Sequence, residues 1–235
     1  MGIFITVEGI DGAGKTTAAN IIACFLRGAG YKVLLTREPT STCLGTVVKN
    51  IITPGGSKKT DGSSFFKTLD KKTAAAMALF LFSADRIVHL NEISLKLKDF
   101  DVVLCDRFID STYAYQAVYL NGKGGKSKGG KSPEDIILII GDFILKQKNI
   151  GIDRTYLFDL KPEVALKRLN KRTGKSDGFD SEPLDFFNRV RTNYLYLADR
   201  FKGRIKKISA EAPPEEIAGI ITKDIISLIK NRSAP

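Results

Sequence analysis

Apolar positions along this chain follow two rhythms: short unbroken runs, and longer stretches in which they recur every three to four residues. The runs at residues 3–7, 32–36, 101–105, 154–160 and 204–209 read as short buried strands. Helical patterns separate them. Residues 16–27 place Ala18, Ile21, Ile22, Phe25 and Leu26 on one face and stop at Gly28 or Gly30. Residues 44–52 predict a short helix, and residues 73–98 a long one whose core-facing positions are Ala74, Met77, Ala78, Leu81, Ala84, Ile87 and Val88. Further helices are predicted at residues 111–119, from Pro162, at 182–201 and at 214–230. Ser132-Pro133-Glu134-Asp135 is a strong helix start, and the run at 136–143 is apolar nearly all round, which predicts a buried helix. Strands alternating with helices predict an α/β fold with five parallel strands, flanked by helices and joined by right-handed crossovers.

Composition narrows this picture. A chain of 235 residues with 43% hydrophobic content can bury a full core, and a single domain is expected. Its net charge of +11 points to an anionic partner. Much of the excess lies in Lys58, Lys59, Lys71 and Lys72 and in Lys123, Lys126, Lys128 and Lys131, within Gly/Ser-rich stretches that, apart from the pair Phe65-Phe66, lack interleaved aromatics. Solubility and attraction of nucleotides therefore fit better than binding of nucleic acid. Cys24, Cys43 and Cys105 show no Cys-x-x-Cys spacing, and one histidine, His89, cannot build a metal cluster. No apolar run approaches the roughly 18–20 residues of a membrane helix, so a soluble cytoplasmic protein is expected, with no membrane partner.

The chemistry is concentrated where strands end. After residues 3–7 comes Gly9-Ile10-Asp11-Gly12-Ala13-Gly14-Lys15-Thr16-Thr17, which fits the phosphate-loop pattern in its strand–loop–helix context. Its glycines turn backbone amides inward, Lys15 can reach β/γ-phosphates, and Thr16 can hold Mg²⁺. An ATP-binding loop in a P-loop NTPase three-layer sandwich is the reading, with residues Gly9, Asp11, Gly12, Ala13, Gly14, Lys15, Thr16 and Thr17 around the phosphates. Residues 101–105 ending in Asp106 resemble the strand whose carboxylate holds the Mg²⁺ beside such a loop, and Arg107 next to it is suited to clamp an anionic acceptor. Arg37, at the end of the second strand, either contacts a substrate or pairs with Glu38 or another acid. Phe82 and Arg86 share a helical face; spacing alone favours Phe82 in the core and Arg86 in an ion pair over the stacking and edge-reading of a base. Arg168, Lys171 and Arg172 form either a solvated face or part of a lid over the donor phosphates, spanning about residues 168–181.

Taken in order, Val7 to Thr17, Thr36-Arg37-Glu38-Pro39, Phe82-Ser83-Ala84-Asp85-Arg86 and Asp106 to Gln116 resemble the thymidylate kinase family, over nearly the whole chain. The resemblance implies transfer of the ATP γ-phosphoryl group to dTMP. It implies that Phe82 stacks on thymine, Arg86 bonds its edge, and Arg107 with Arg37 holds the monophosphate. It also implies that Asp11 lies near the sugar 3′-hydroxyl, Thr112, with Gln116 nearby, beside the base, and Tyr115 under the deoxyribose. Gly12 stands where one form of the family has an arginine, so the chain resembles the bacterial-type form with the catalytic arginine in the lid, here Arg168 or Arg172. Thr40-Ser41-Thr42-Cys43 departs from the usual Gly-Gly-Thr, and residues 54–72 and 122–131 look like insertions.

The expected catalytic set is therefore Lys15, Arg107, Arg168 and Arg172; the expected Mg²⁺ ligands are Thr16 and Asp106. Expected partners are ATP, dTMP and a second copy of the chain as a homodimer, without nucleic acid. A phosphate acceptor is already ionised near neutral pH and needs no general base. A deoxynucleoside kinase would need one, and Glu38 can be placed in that role. A guanine-reading switch is disfavoured, since Asn170-Lys171-Arg172-Thr173 fails the Asn-Lys-x-Asp pattern.

Overall fold

The computed structural model describes residues 1–52, 68–120, 132–173 and 184–233. Five strands, β1 (Ile3–Glu8), β2 (Val33–Arg37), β3 (Val102–Asp106), β4 (Arg154–Asp159) and β5 (Ile205–Ser209), pair in the order β2-β3-β1-β4-β5. Every pairing is parallel. All five carboxyl ends therefore meet one edge of the sheet. The helices in chain order are α1 (Lys15–Gly28), α2 (Cys43–Ile52), α3 (Lys71–Lys96), α4 (Ile109–Leu120), α5 (Pro133–Lys146), α6 (Pro162–Thr173), α7 (Leu184–Arg200) and α8 (Pro214–Ser233). The expected loops at 54–72 and 122–131 fall largely, and the lid beyond residue 173 wholly, outside the described residues.

Both faces of the sheet are covered, which is why its strands read as continuous apolar runs. Ile3, Ile5 and Val7 of β1 and Val102 and Leu104 of β3 belong to a cluster shared with Ala18, Ile22 and Leu26 of α1 and Ile217, Ile221 and Ile225 of α8. Their neighbours Phe4, Val103 and Cys105 point the other way, to a cluster with Leu90 and Ile93 of α3 and Ile144 of α5. Phe4 meets Phe108 edge to face at 5.0 Å there. The period of two along each strand thus builds three layers from one sequence run.

Two helices correct the sequence expectation. Along α5, Ile137, Gly141 and Ile144 are buried, while Ile136 (46% exposed), Ile139 (44%) and Phe143 (57%) face outward. Along α3 the buried stripe is Ala75, Ala78, Leu79, Leu90 and Ile93, so that Ile87 and Val88 join Phe80 and Leu95 on the exposed side. Continuous apolarity conceals which face is inside, because period cannot be read where every position is apolar. A third correction concerns length: α3 is long and apolar enough, by length and composition, to cross a membrane. Its Asp85, Arg86 and His89 are nevertheless buried in polar contacts within the chain, as expected of an internal helix.

The start of α4 is tied to the sheet by charge. Asp110 is buried and accepts from Arg204 Nη1 and Nη2 at 2.7 and 2.8 Å, and the same Nη1 donates to Thr155 Oγ1 at 2.7 Å. Thr155 in turn hydrogen-bonds Thr6 across β1 and β4 at 2.7 Å. Removing one member of a buried pair leaves the other charge uncompensated. Arg204→Ala is therefore expected to lower unfolding free energy by about 3 kcal/mol in a urea titration; a loss below about 1 kcal/mol would show that Asp110 is stabilised by other means.

Candidate active site

At the carboxyl edge, Arg37, Asp106 and Glu8 end the neighbouring strands β2, β3 and β1; the registers pair Arg37 and Val7 with Asp106 from either side. The chain leaves β1 through the glycine loop. Gly9, Gly12 and Gly14 have φ of 143°, 82° and 89°, values that side chains rarely adopt. Gly14 caps α1 without a side-chain bond, so the first-turn amides of α1 remain directed at whatever anion the loop holds. Lys15 is buried and donates from Nζ to Ile10 O at 2.7 Å; burial and the charge of Arg107 bring its ammonium down to about 8, against the pull of Asp11, Asp106 and Glu8. Ala13 is buried beneath the loop, and Thr16 and Thr17 are exposed on its helix side.

Thr16 Oγ1 donates to Asp106 Oδ2 at 2.5 Å. Asp106 Oδ1 is buried and has no hydrogen-bond partner among the described residues. A carboxylate oxygen left unpaired beside a phosphate loop and a threonine hydroxyl suits a hard, oxygen-seeking divalent cation.

Arg107 follows Asp106 with φ of 68°, and its N–H donates to Val7 O at 3.0 Å. A non-glycine residue in the left-handed region is held there by its surroundings. The turn aims the side chain across β1. Nη2 reaches Asp11 Oδ1 at 2.5 Å and Tyr115 OH at 3.4 Å, while Nη1 reaches Gly9 O, Ser111 Oγ and Tyr194 OH at 3.2, 3.1 and 3.4 Å. Tyr115 OH donates to Asp11 Oδ2 at 2.9 Å, and the guanidinium lies 5.2 Å over the Tyr115 ring. Burial alone would raise the Asp11 carboxyl, but Arg107 and Lys15 hold it below the usual range. Burial and the adjacent Asp11 push the Tyr115 phenol up, so it stays a donor. Glu8 is pushed up to about 7 by burial and by Asp110.

The other half of the site lies under α3. Arg86 is fully buried: Nε donates to Glu38 Oε2 at 2.8 Å, Nη2 pairs with the same oxygen and with Phe108 O, and Nη1 donates to Thr112 Oγ1 at 2.8 Å. His89 Nδ1 lies 3.1 Å from Glu38 Oε1, and its Nε2 bonds Thr36 Oγ1 at 2.8 Å. Phe82, one turn before Arg86, is half-buried and belongs to neither core cluster. Gln116 is buried one turn beyond Thr112 on α4. Arg37 is exposed and lines a cavity of about 520 Å³ with Thr16, Thr40 and Asp106. The unusual Thr40 is anchored by Asp85, which accepts from its N–H at 2.8 Å and its hydroxyl at 2.6 Å.

Arg168 and Arg172, one turn apart on α6, line a cavity of about 260 Å³ with Asp11, Gly12, Lys15 and Arg107. Both are exposed, and Arg168 Nη1 donates to Ala210 O at 3.0 Å, beyond β5. Sequence reading did not single out Glu8, Ser111, Tyr194 or His89 as site residues. An acid ending an otherwise apolar strand is a local signal for Glu8, but Tyr194 lies in an ordinary amphipathic helix and only the fold brings it in.

The loop also explains where the cations lie. A Cβ on Gly12 would meet Ala165 O of α6 at 2.4 Å, on a backbone already at positive φ. Gly12→Arg is accordingly expected to weaken ATP binding about tenfold or more in calorimetric titration, through strain and displacement of α6. Unchanged or tighter binding would mean that the loop has room for the side chain.

The chain matches a family model described as "Thymidylate kinase" over residues 7–221. Curated relatives named "Thymidylate kinase" include one from Methylococcus capsulatus, 36% identical with 97% of each chain covered. Another, from a Geobacillus species, is 35% identical over 98% of this chain and 99% of its own. A third, from Desulfovibrio desulfuricans, is 35% identical over 92% of this chain and 91% of the relative. With the phosphate loop, the Asp106-Arg107 strand end and Arg86 set around one edge of a parallel sheet, this chain belongs to the thymidylate kinase family.

Proposed function

We propose that the chain transfers the γ-phosphoryl group of ATP to dTMP, giving dTDP and ADP. The observation that carries this reading is the reach of Arg107 from the end of β3 across to Asp11 and Gly9, which brings an acceptor clamp within contact of the donor loop. A dTMP phosphate oxygen attacks the γ-phosphorus as the bond to the bridging oxygen of ADP breaks. Since that oxygen is already ionised, alignment and charge neutralisation carry the catalysis. Lys15 faces the β/γ-phosphates, Arg107 and Arg37 hold the acceptor phosphate, and Asp11 with Tyr115 meets the deoxyribose. Arg86, locked by Glu38, presents a fixed edge to thymine beneath Phe82, with Thr112 and Gln116 beside it. Thr16 and Asp106 would hold Mg²⁺, whose charge offsets that of the phosphate oxygens.

Of the two arginines of α6, Arg172 is assigned to the transferring group. Arg168 is engaged by the Ala210 carbonyl, just past the end of β5. The alternative of a deoxynucleoside kinase gains no support, because Glu38, the candidate base, has both oxygens engaged by Arg86 and His89. In a coupled ADP-release assay, dTMP is expected to outrun thymidine and the other nucleoside monophosphates. Lys15→Ala is expected to lower turnover about a hundredfold or more with the melting temperature preserved. Faster turnover of thymidine than of dTMP would overturn the assignment.

The outward apolar stripes of α3 and α5 belong to the same reading. Phe80, Ile87, Val88 and Leu95 recur at helical spacing on α3, and Ile136, Ile139 and Phe143 do so on α5, which packs beside it. A second copy of the chain, placed in the cytoplasm with its nucleotides, covers this face in a homodimer. Sedimentation analysis is expected to give a dimer for the parent and a monomer for Val88→Glu with Phe143→Glu; a monomeric parent at micromolar concentration would refute it.

A further inference from the structure

The carboxylate of Glu8 has its hydrogen bonds with Phe108, Ser111 and Tyr194, none of them assigned to nucleotide binding, yet it is completely buried at the end of β1 and accepts four such bonds. Oε1 accepts from the N–H groups of Phe108 and Ser111 at 2.7 and 3.3 Å. Oε2 accepts from Ser111 Oγ and Tyr194 OH at 2.6 and 3.0 Å. These two hydroxyls lie 2.9 Å from each other, and both are within reach of Arg107 Nη1, at 3.1 and 3.4 Å.

The donor count decides how this cluster is oriented. A guanidinium nitrogen only donates, so each hydroxyl must turn a lone pair towards Arg107. Each hydroxyl has one proton, and the acceptor that collects these protons, directly or through the other hydroxyl, is Glu8. The backbone bonds to Oε1 act on the same residue from another side. They hold the amides of Phe108 and Ser111, just after the left-handed turn at Arg107. We infer that Glu8 is the positioning residue of the acceptor-phosphate clamp: it fixes the backbone turn that aims Arg107 and polarises Ser111 and Tyr194 so that both accept from the guanidinium. The inference rests on the reading of Arg107 as the group that holds the dTMP phosphate.

Glu8→Gln separates this role from simple packing, because it keeps the size of the side chain and changes only its donors. The two backbone amides can only donate, so the carboxamide oxygen must face them. The amide N–H₂ then faces Ser111 and Tyr194, and it either takes the lone pairs that Arg107 uses or drives hydroxyl protons towards the guanidinium. At pH 8, calorimetric titration of Glu8→Gln is expected to show dTMP binding weakened about tenfold or more, with KM for dTMP raised in step. ATP binding is expected to stay within about twofold, since the glycine loop and Lys15 keep their contacts.

Tyr194→Phe supplies the second arm. Alone it removes one acceptor from Arg107 and is expected to weaken dTMP binding about threefold; combined with Glu8→Gln it is expected to add nothing further, because the misdirected hydroxyl is gone. Should Glu8→Gln fail to fold, Tyr194→Phe with Ser111→Ala tests the same link with the carboxylate in place, with the same selective loss of dTMP expected. The inference is overturned if Glu8→Gln binds dTMP as the parent does, or if it loses ATP and dTMP by the same factor. A parent that neither binds nor phosphorylates dTMP overturns the clamp reading itself, which the parental titration reveals before any variant is compared.

Discussion

Arg107 is held between two strand ends, and the contact it makes with Asp11 is where the donor and acceptor halves of the site become one object. That contact needs β1 and β3 to be parallel neighbours, so that the glycine loop and the Asp106-Arg107 turn leave the sheet at the same edge. It also needs a left-handed residue at 107, since an ordinary extended residue would stand its side chain off one face of the sheet instead of turning it towards the glycine loop. Around this point two cations, Lys15 and Arg107, face the carboxylates Glu8, Asp11 and Asp106. Burial raises the strength of every pairing here, and a polyanionic ligand enters a field already fixed in direction. The protein groups need little reorganisation when charge moves.

Much of this site was legible from residues that are close in sequence. A phosphate loop is written in nine consecutive residues because its function depends on local backbone freedom, at Gly9, Gly12 and Gly14, and on a helix that begins at Lys15. Strand ends at Asp106 and Arg37 could be placed because β-prone runs stop at charged residues. The alternation of strands and helices implied a parallel sheet, and with it the edge where ligands gather.

What stayed hidden has equally physical causes. The exposed sides of α3 and α5 carry the same kinds of residue as their buried sides, so the pattern holds no contrast from which to choose a face. Arg86 and Phe82 were ambiguous because an arginine next to an acid in sequence gives no measure of what else surrounds it; Glu38, Thr112 and the Phe108 carbonyl come from three separate segments. Tyr194 is 186 residues from Glu8, and its hydroxyl acquires meaning only when α7 packs against α4. Hydrogen-bond direction, which organises the whole cluster around Glu8, leaves no trace in any pattern of hydrophobic and polar positions.

A Cβ at Gly12 would collide with the Ala165 carbonyl, so the phosphate loop and α6 are packed without room for a side chain between them. In this chain that crowding couples the two elements. A cation placed at position 12 by one substitution would meet α6 before the helix had withdrawn. Withdrawal of the helix first would carry Arg168 and Arg172 away from the cavity they line with Lys15 and Arg107. A side chain at position 12 is therefore accommodated only when loop and helix change together.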